Sequence, residues 1–251
     1  MPGQQSMMRN GLMNERRRQR GLSLIELMVG ITVGMIVVAA ASLMMTSQLK
    51  EHKLLVLETQ LQQDLRAAGD LILRDLRRAG FWAMPQNGVW AEGSFAAPTP
   101  NPYASVTSGG NAQNGSLEFQ YSRHLANRDN AAGYPNPEDG AINDNTERFG
   151  FKLEDGILKV RLGAAWQPIT DPATLTITAF QVQLQTQNLP LQQFCELTCP
   201  PGTACPLLQV RQVSINLVGQ AVHDSSVVRS IQLSGRVRND NVAGACPAVP
   251  A

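Results

Sequence analysis

Apolar residues are spread unevenly along this chain. Between Gly21 and Lys50 almost every position is apolar or small, and Glu26 carries the only charge. A stretch that is apolar on every side leaves no face for water, so it predicts a helix buried all round or lying in a membrane. From Leu54 the pattern changes. Leu54, Leu57, Leu61, Leu65, Ala68, Ile72 and Leu76 recur at intervals of three or four, which lays a single apolar stripe along a helix. From Leu22 there is no proline until Pro85. The spacing therefore predicts one continuous helix over about 22–79, roughly 85 Å long at 1.5 Å per residue. Gly80, followed by Pro85 and Gly88, supplies its stop.

Beyond Gly80 the period shortens to two. Residues 81–115 are rich in Pro, Gly, Asn and Ser and predict a long irregular segment, with Trp82 and Trp90 in it. Exposed tryptophans there would mark a binding surface, and buried ones would mark packing, which is the expectation. Phe149 to Leu153 and Ile157 to Leu162 flank Asp155-Gly156, a hairpin signal. Leu175, Ile177 and Ala179 alternate with threonines, and then the apolar phase flips to Phe180, Val182 and Leu184. A flip without a break predicts a bulge. Val213, Ile215 and Leu217 form another half-buried strand, and Ile231, Leu233, Gly235 and Val237 the last. One-sided alternation points to an antiparallel sheet with one wet face. The striped half of the helix is its natural cover, so the predicted fold class is α+β. The polar stretch 127–147 carries Asp129, Glu138, Asp139, Asp144 and Glu147 but lacks the spacing of a calcium loop. A solvated loop is expected there, and no metal.

Charge adds a direction. The overall balance is +1, but five arginines (Arg9, Arg16, Arg17, Arg18, Arg20) against Glu15 give residues 1–21 a charge of +4, which leaves about −3 for the rest. A basic segment before an apolar helix keeps that end in the cytoplasm. No basic cluster is interleaved with aromatics, so no nucleic-acid partner is expected. Arg74, Arg77 and Arg78 lie beside Asp70 and Asp75 and read as a solvated or packing face. His52, His124 and His223 are scattered, and no nucleophile, phosphate loop or cofactor motif accompanies them, so neither catalysis nor a cofactor is expected.

Cys195, Cys199, Cys205 and Cys246 fall in the last quarter of the chain. In an exported domain four cysteines point to two disulfides. Gaps of three, five and forty residues suit zinc poorly. Three connectivities are possible and the spacing does not choose among them. Any bond made by Cys246 would tie the C-terminus to the 195–205 loop. In the chain-entropy view, closing a loop of some 40–50 residues stabilises by around 3–4 kcal/mol.

The N-terminal pattern has three readings. A secretory signal would place its cut after the apolar core, at Ala39-Ala40-Ala41. A plain signal anchor would explain the arginines and the apolar run but not Gly21 or Glu26. The third reading accounts for all of them: the basic leader, Gly21-Leu22-Ser23-Leu24-Ile25-Glu26 and the apolar stretch resemble the type IV prepilin family. The resemblance implies cleavage after Gly21 by prepilin peptidase and N-methylation of Leu22, where the family usually has Phe. It also implies that Glu26, fifth in the mature chain, pairs with the first-residue amine of a neighbouring subunit. A C-terminal disulfide staple is common in that family.

The implied division is a leader over 1–21, a membrane and assembly segment over 22–50, an amphipathic helix over 51–80 and a β-rich periplasmic domain over 81–251. Leu71-Ile72-Leu73-Arg74-Asp75-Leu76-Arg77-Arg78-Ala79-Gly80-Phe81 and Arg236-Val237-Arg238-Asn239 look like the PilW minor pilins. That likeness implies a priming subunit at a pilus tip. Its partners would be other minor pilins, the major pilin and a PilY-type adhesin as cargo. Before assembly the chain would sit in the inner membrane. The rival readings are a J-type minor pseudopilin of type II secretion and a tethered adhesin or DNA-uptake module.

Overall fold

The computed structural model describes residues 21, 23–89, 98–123, 138–200, 202 and 205–247. The leader up to Arg20, Leu22, Trp90, His124 and Asp129 lie outside them. The chain divides into two compact units, one ending at His52 and one beginning at Lys53.

The first unit is the opening length of helix α1 (Leu24–Leu76). The Ser23 carbonyl accepts from the amides of Glu26 and Leu27 at 3.0 and 3.1 Å and starts the helix. Every described side chain up to His52 is exposed, including Leu24, Ile36, Val38 and Leu43. The hydroxyls of Thr32, Ser42, Thr46 and Ser47 donate to carbonyls three or four residues back, at 2.8–2.9 Å. Satisfied in that way, they do not spoil an apolar surface. By length and composition this helix is able to cross a membrane.

The second unit begins where the stripe begins. Leu61, Leu65, Ala68, Ile72 and Leu76 are buried, Leu57 packs against them in part, and Leu54 stays exposed. Among the described residues nine strands follow, in two antiparallel sheets rather than the single sheet expected. The first sheet runs in order through β1 (Val106–Gly109), β2 (Ser116–Gln120), β3 (Arg148–Glu154), β4 (Ile157–Leu162) and β5 (Ala165–Pro168). The second joins β6 (Leu175–Pro190), β7 (Leu207–Ala221) and β8 (Asp224–Arg236), with β9 (Asn241–Ala243) also on β7.

Particular expectations resolve here. Asp155 and Gly156 take φ of 54° and 75° in a two-residue turn between Glu154 and Ile157, the geometry a tight hairpin favours. The predicted phase flip is a bulge: Ile177 pairs with Gly219 and Ala179 with Val218, so Thr178 is the extra residue. The segment expected to be irregular contains β1, and β9 follows the strand read as last. Both are short (four and three residues) and cannot show a period of their own.

The helix packs on both sheets. At Gly69 α1 packs tightly on β8, since a Cβ there would lie 2.4 Å from Leu233 Cδ1 and 3.0 Å from Ile231 Cδ1. Gly219 and Gly235 make the same room opposite Leu61, Leu65, Leu73 and Leu76. The first sheet adds Phe119, Tyr121, Phe149 and Phe151 to the same core, with Tyr121 and Phe149 stacked at 3.8 Å. Backbone bonds from Phe180 to Ala112 and from Ile177 to Gly156 (2.7 and 2.8 Å) stitch β6 to the first sheet. One apolar core therefore lies under helix and sheets together.

Candidate functional site

Of the motif residues in the first unit, Gly21 is exposed just before α1 and Leu22 lies outside the described residues. Glu26 falls in the first turn of α1, where the free amides of a helix start favour a negative charge. It is exposed among Leu24, Ile25, Leu27 and Met28, and makes no ion pair or side-chain hydrogen bond among the described residues.

In the second unit the two stretches singled out for their resemblance meet in space. Gly80 ends the helix in the left-handed region, with φ of 73°. A Cβ on Gly80 would sit 3.2 Å from an Arg211 nitrogen and 3.3 Å from the Asn239 carbonyl. Its amide donates to the Gln120 carbonyl at 2.8 Å, and its own carbonyl accepts from Asn101 Nδ2 at 2.9 Å. Asn239 Nδ2 donates to the Ala79 carbonyl at 3.0 Å, and Arg211 donates to the Asn239 carbonyl at 2.8 Å and to the Ala104 carbonyl. Burial lowers the Arg211 pKa, opposed by Asp240, without neutralising so strong a base. The Ala-Gly-aromatic signature is thus a docking joint. The helix end, β2 and the residues after β8 lock together through it.

Around this joint opens a pocket of about 530 Å³. Arg77, Arg78, Arg123 and Arg238 line it, together with Phe81 and Tyr121. The Arg78 guanidinium carbon lies over the Tyr121 ring, 4.4 Å from its centroid, a favourable cation–aromatic arrangement. Asp75 is buried beside the joint. Desolvation raises its pKa, opposed by the charges of Arg74 and Arg78. The arginines are exposed, as expected from their sequence, but Asp75 is not.

Behind the pocket lies a polar cluster that the sequence did not announce. Glu138 and Glu147 are buried, which corrects the expectation of a solvated loop for those two residues. Tyr103 Oη lies 2.9 Å from Glu138 Oε1 and 3.2 Å from Glu147 Oε2. Ser122 Oγ donates to Glu138, and the amides of Gly140, Arg123 and Asn143 donate to the two carboxylates at 2.8–3.2 Å. Burial and the two carboxylates hold the Tyr103 hydroxyl protonated well above its ordinary range. Each carboxylate stands in a polar stretch, and Tyr103, from a distant part of the chain, hydrogen-bonds both. Trp82 is buried, which favours packing over a ligand surface, and Trp90 lies outside the described residues. Among the described residues no group of acids, histidines or cysteines is arranged to hold a metal.

Cys195 and Cys246 form a disulfide across 51 residues, tying the chain after β9 to the segment after β6. Two bridges were expected and the structure contains one. Cys199 and Cys205 remain thiols, hydrogen-bonded to each other, and that contact pushes the Cys199 thiol up to about 11. Their sulfurs approach only through a loop closure that spacing alone does not specify.

Known families match both regions. Residues 54–237 match the family described as prepilin peptidase-dependent protein B. Residues 16–42 match the prokaryotic N-terminal methylation motif. No curated protein and no solved structure matches the chain.

Proposed function

Because the chain belongs to the prepilin peptidase-dependent protein B family, and is thereby a type IV pilin-like or pseudopilin-like protein processed by prepilin peptidase, we propose that it is a minor pilin. In this reading it is a low-abundance subunit of the PilW kind that primes a type IV pilus and stays at its tip. The peptidase cuts between Gly21 and Leu22 and methylates the new Leu22 amine. Removing the leader takes away the positive charge that holds that end in the cytoplasm. It also creates a cation four residues from Glu26. In the assembled filament, Glu26 accepts the amine of a neighbouring subunit. A carboxylate left unpaired among packed apolar helices costs several kcal/mol. The pair therefore sets the register at which a subunit can leave the membrane.

The observation that carries this reading is Glu26, exposed in the first turn of a helix length whose apolar surface nothing in the unit covers. Such a surface needs lipid first and other subunits later. The other minor pilins, the major pilin and a PilY-type adhesin are the partners this role requires. The second reading, a J-type minor pseudopilin of type II secretion, shares every one of these features. Neighbouring genes separate the two: pilus-biogenesis genes for one, secretion genes for the other.

Intact mass and N-terminal sequencing of the membrane protein, with and without the host's prepilin peptidase, test the processing. A mature chain starting at N-methyl-Leu22 is expected. A chain keeping residues 1–21, or cut near Ala41, would remove the pilin reading. Glu26→Ala is expected to leave cleavage intact and to abolish incorporation into pili. Normal pili containing the variant would refute the pairing role.

A further inference from the structure

We propose that the arginine-lined pocket at the end of α1 is a docking site for an acidic peptide segment of a partner protein, one that presents two or more carboxylates beside an apolar side chain. It stands whether the chain serves a pilus or a secretion system.

Four arginines converge there from three parts of the chain. Arg77 and Arg78 come from the helix end, Arg123 from the exit of β2, and Arg238 from the residues after β8. None of the described residues lining the pocket is acidic. None of the four guanidinium groups makes an ion pair among the described residues. Of the acids nearby, buried Asp75 lies 3.9 Å from Arg74 and also meets the charge of Arg78, and Asp240 pairs with Arg236. Glu138 and Glu147 are bound by Tyr103, Ser122 and backbone amides. Four like charges facing one space repel one another, so the cluster weakens the fold it sits on. An anion brought into that space would relieve the repulsion.

The pocket is also built to receive one. Arg78 is held over the Tyr121 ring, a contact that reduces what binding must order. Asn239 and Arg211 fix the backbone on both sides. A guanidinium fork matches a carboxylate with two parallel hydrogen bonds, and arginine clusters are a recurring way to read acidic motifs. Phe81, 40 % exposed, lies beside the charges and offers apolar contact. The volume of about 530 Å³ is that of a site for a compact ligand. A nucleic-acid backbone wants its cations along a track, and here they converge in one concavity. A flat bilayer does not reach the walls of a hollow, which leaves a protruding peptide as the fitting occupant.

The test uses the full chain in neutral-headgroup detergent and a rhodamine-labelled Asp-Glu-Phe-Glu-Asp peptide, read by fluorescence anisotropy. Its Asn-Gln-Phe-Gln-Asn counterpart is the control. Binding of the acidic peptide alone is expected, weakening as salt is raised and falling at least tenfold in Arg77→Glu and in Arg238→Glu. Both residues are exposed, and unfolding midpoints identify any variant that has lost its fold, in which case the other decides. Equal binding of the two peptides, or unchanged affinity in a folded variant, would overturn the proposal. So would displacement of the peptide by equimolar inorganic phosphate or by phosphatidylglycerol vesicles at equimolar lipid, which would make the site one for phosphate or for lipid.

Discussion

The two lengths of α1 are both rich in leucine, valine and alanine, yet they meet opposite conditions. Before His52 no described side chain is even half-buried, whereas farther along Leu65 and Ile72 are fully covered. The difference lies in how apolar residues are distributed around the helix. Where they stand on every side, no single globular domain can cover them, and the helix must find its surroundings in lipid or in other chains. Where they form a stripe, two sheets of the same chain suffice. Glycines follow the same divide. Gly30 and Gly34 face open space, while Gly69 lies against Ile231 and Leu233 of β8 with no room for a Cβ. The same residue type is idle in one length and required in the other.

Substitutions that probe the two lengths in parallel put this contrast at risk. The largest effect is expected for Ile72→Ala, which should cost about 2–5 kcal/mol in urea unfolding of the second unit followed by near-UV circular dichroism. Val33→Ala should leave the same transition within about 0.5 kcal/mol. If the two shifts were equal, the contrast would be lost. Next comes the Cys195–Cys246 bridge. Reducing it should cost around 3–4 kcal/mol in the same measurement, by the chain-entropy scale for a loop of this length. Cys199→Ser should change the midpoint far less.

Gly80→Ala should be smaller, about 1–2 kcal/mol for forcing an L-residue into the left-handed region, with the contacts to Arg211 and Asn239 adding to it. Gly30→Ala, which meets nothing within 4 Å, should instead strengthen its helix by about 1 kcal/mol. Opposite signs at two glycines of one helical run would sharpen the comparison, and equal signs would break it.

The smallest effect concerns pH. Burial raises the Asp75 carboxyl above its ordinary 3.8, so the folded state keeps a proton that the unfolded chain releases. The stability tied to that proton is complete below 3.8 and is lost as pH rises through the higher folded value. Asp75→Asn should flatten this part of the pH profile of the urea midpoint. An unchanged slope between pH 4 and 7 would show that Arg74 and Arg78 cancel the cost of burial.

Much of this was legible in advance, for specific reasons. The stripe from Leu57 to Leu76, the Asp155-Gly156 turn and the bulge at Thr178 are local events, each written in a period or a dipeptide. The short strands β1 and β9 were not legible, because three or four residues carry no period and their pairing is decided by the neighbouring strand. Trp82 came out as packing, in agreement with the expectation. Glu138 and Glu147 stood in a stretch that looks solvated. Their buried setting includes Tyr103, 35 and 44 residues earlier in the chain.

By itself the sequence determined the membrane-compatible helix, its single acid, the helix stop and the α+β class, because each follows from residue chemistry repeated at short range. Only the tertiary structure decided that there are two sheets, that Cys195 takes Cys246, and that four arginines distant along the chain share one pocket. Those outcomes depend on which surfaces the core brings together, and no short-range pattern encodes a meeting between residue 77 and residue 238.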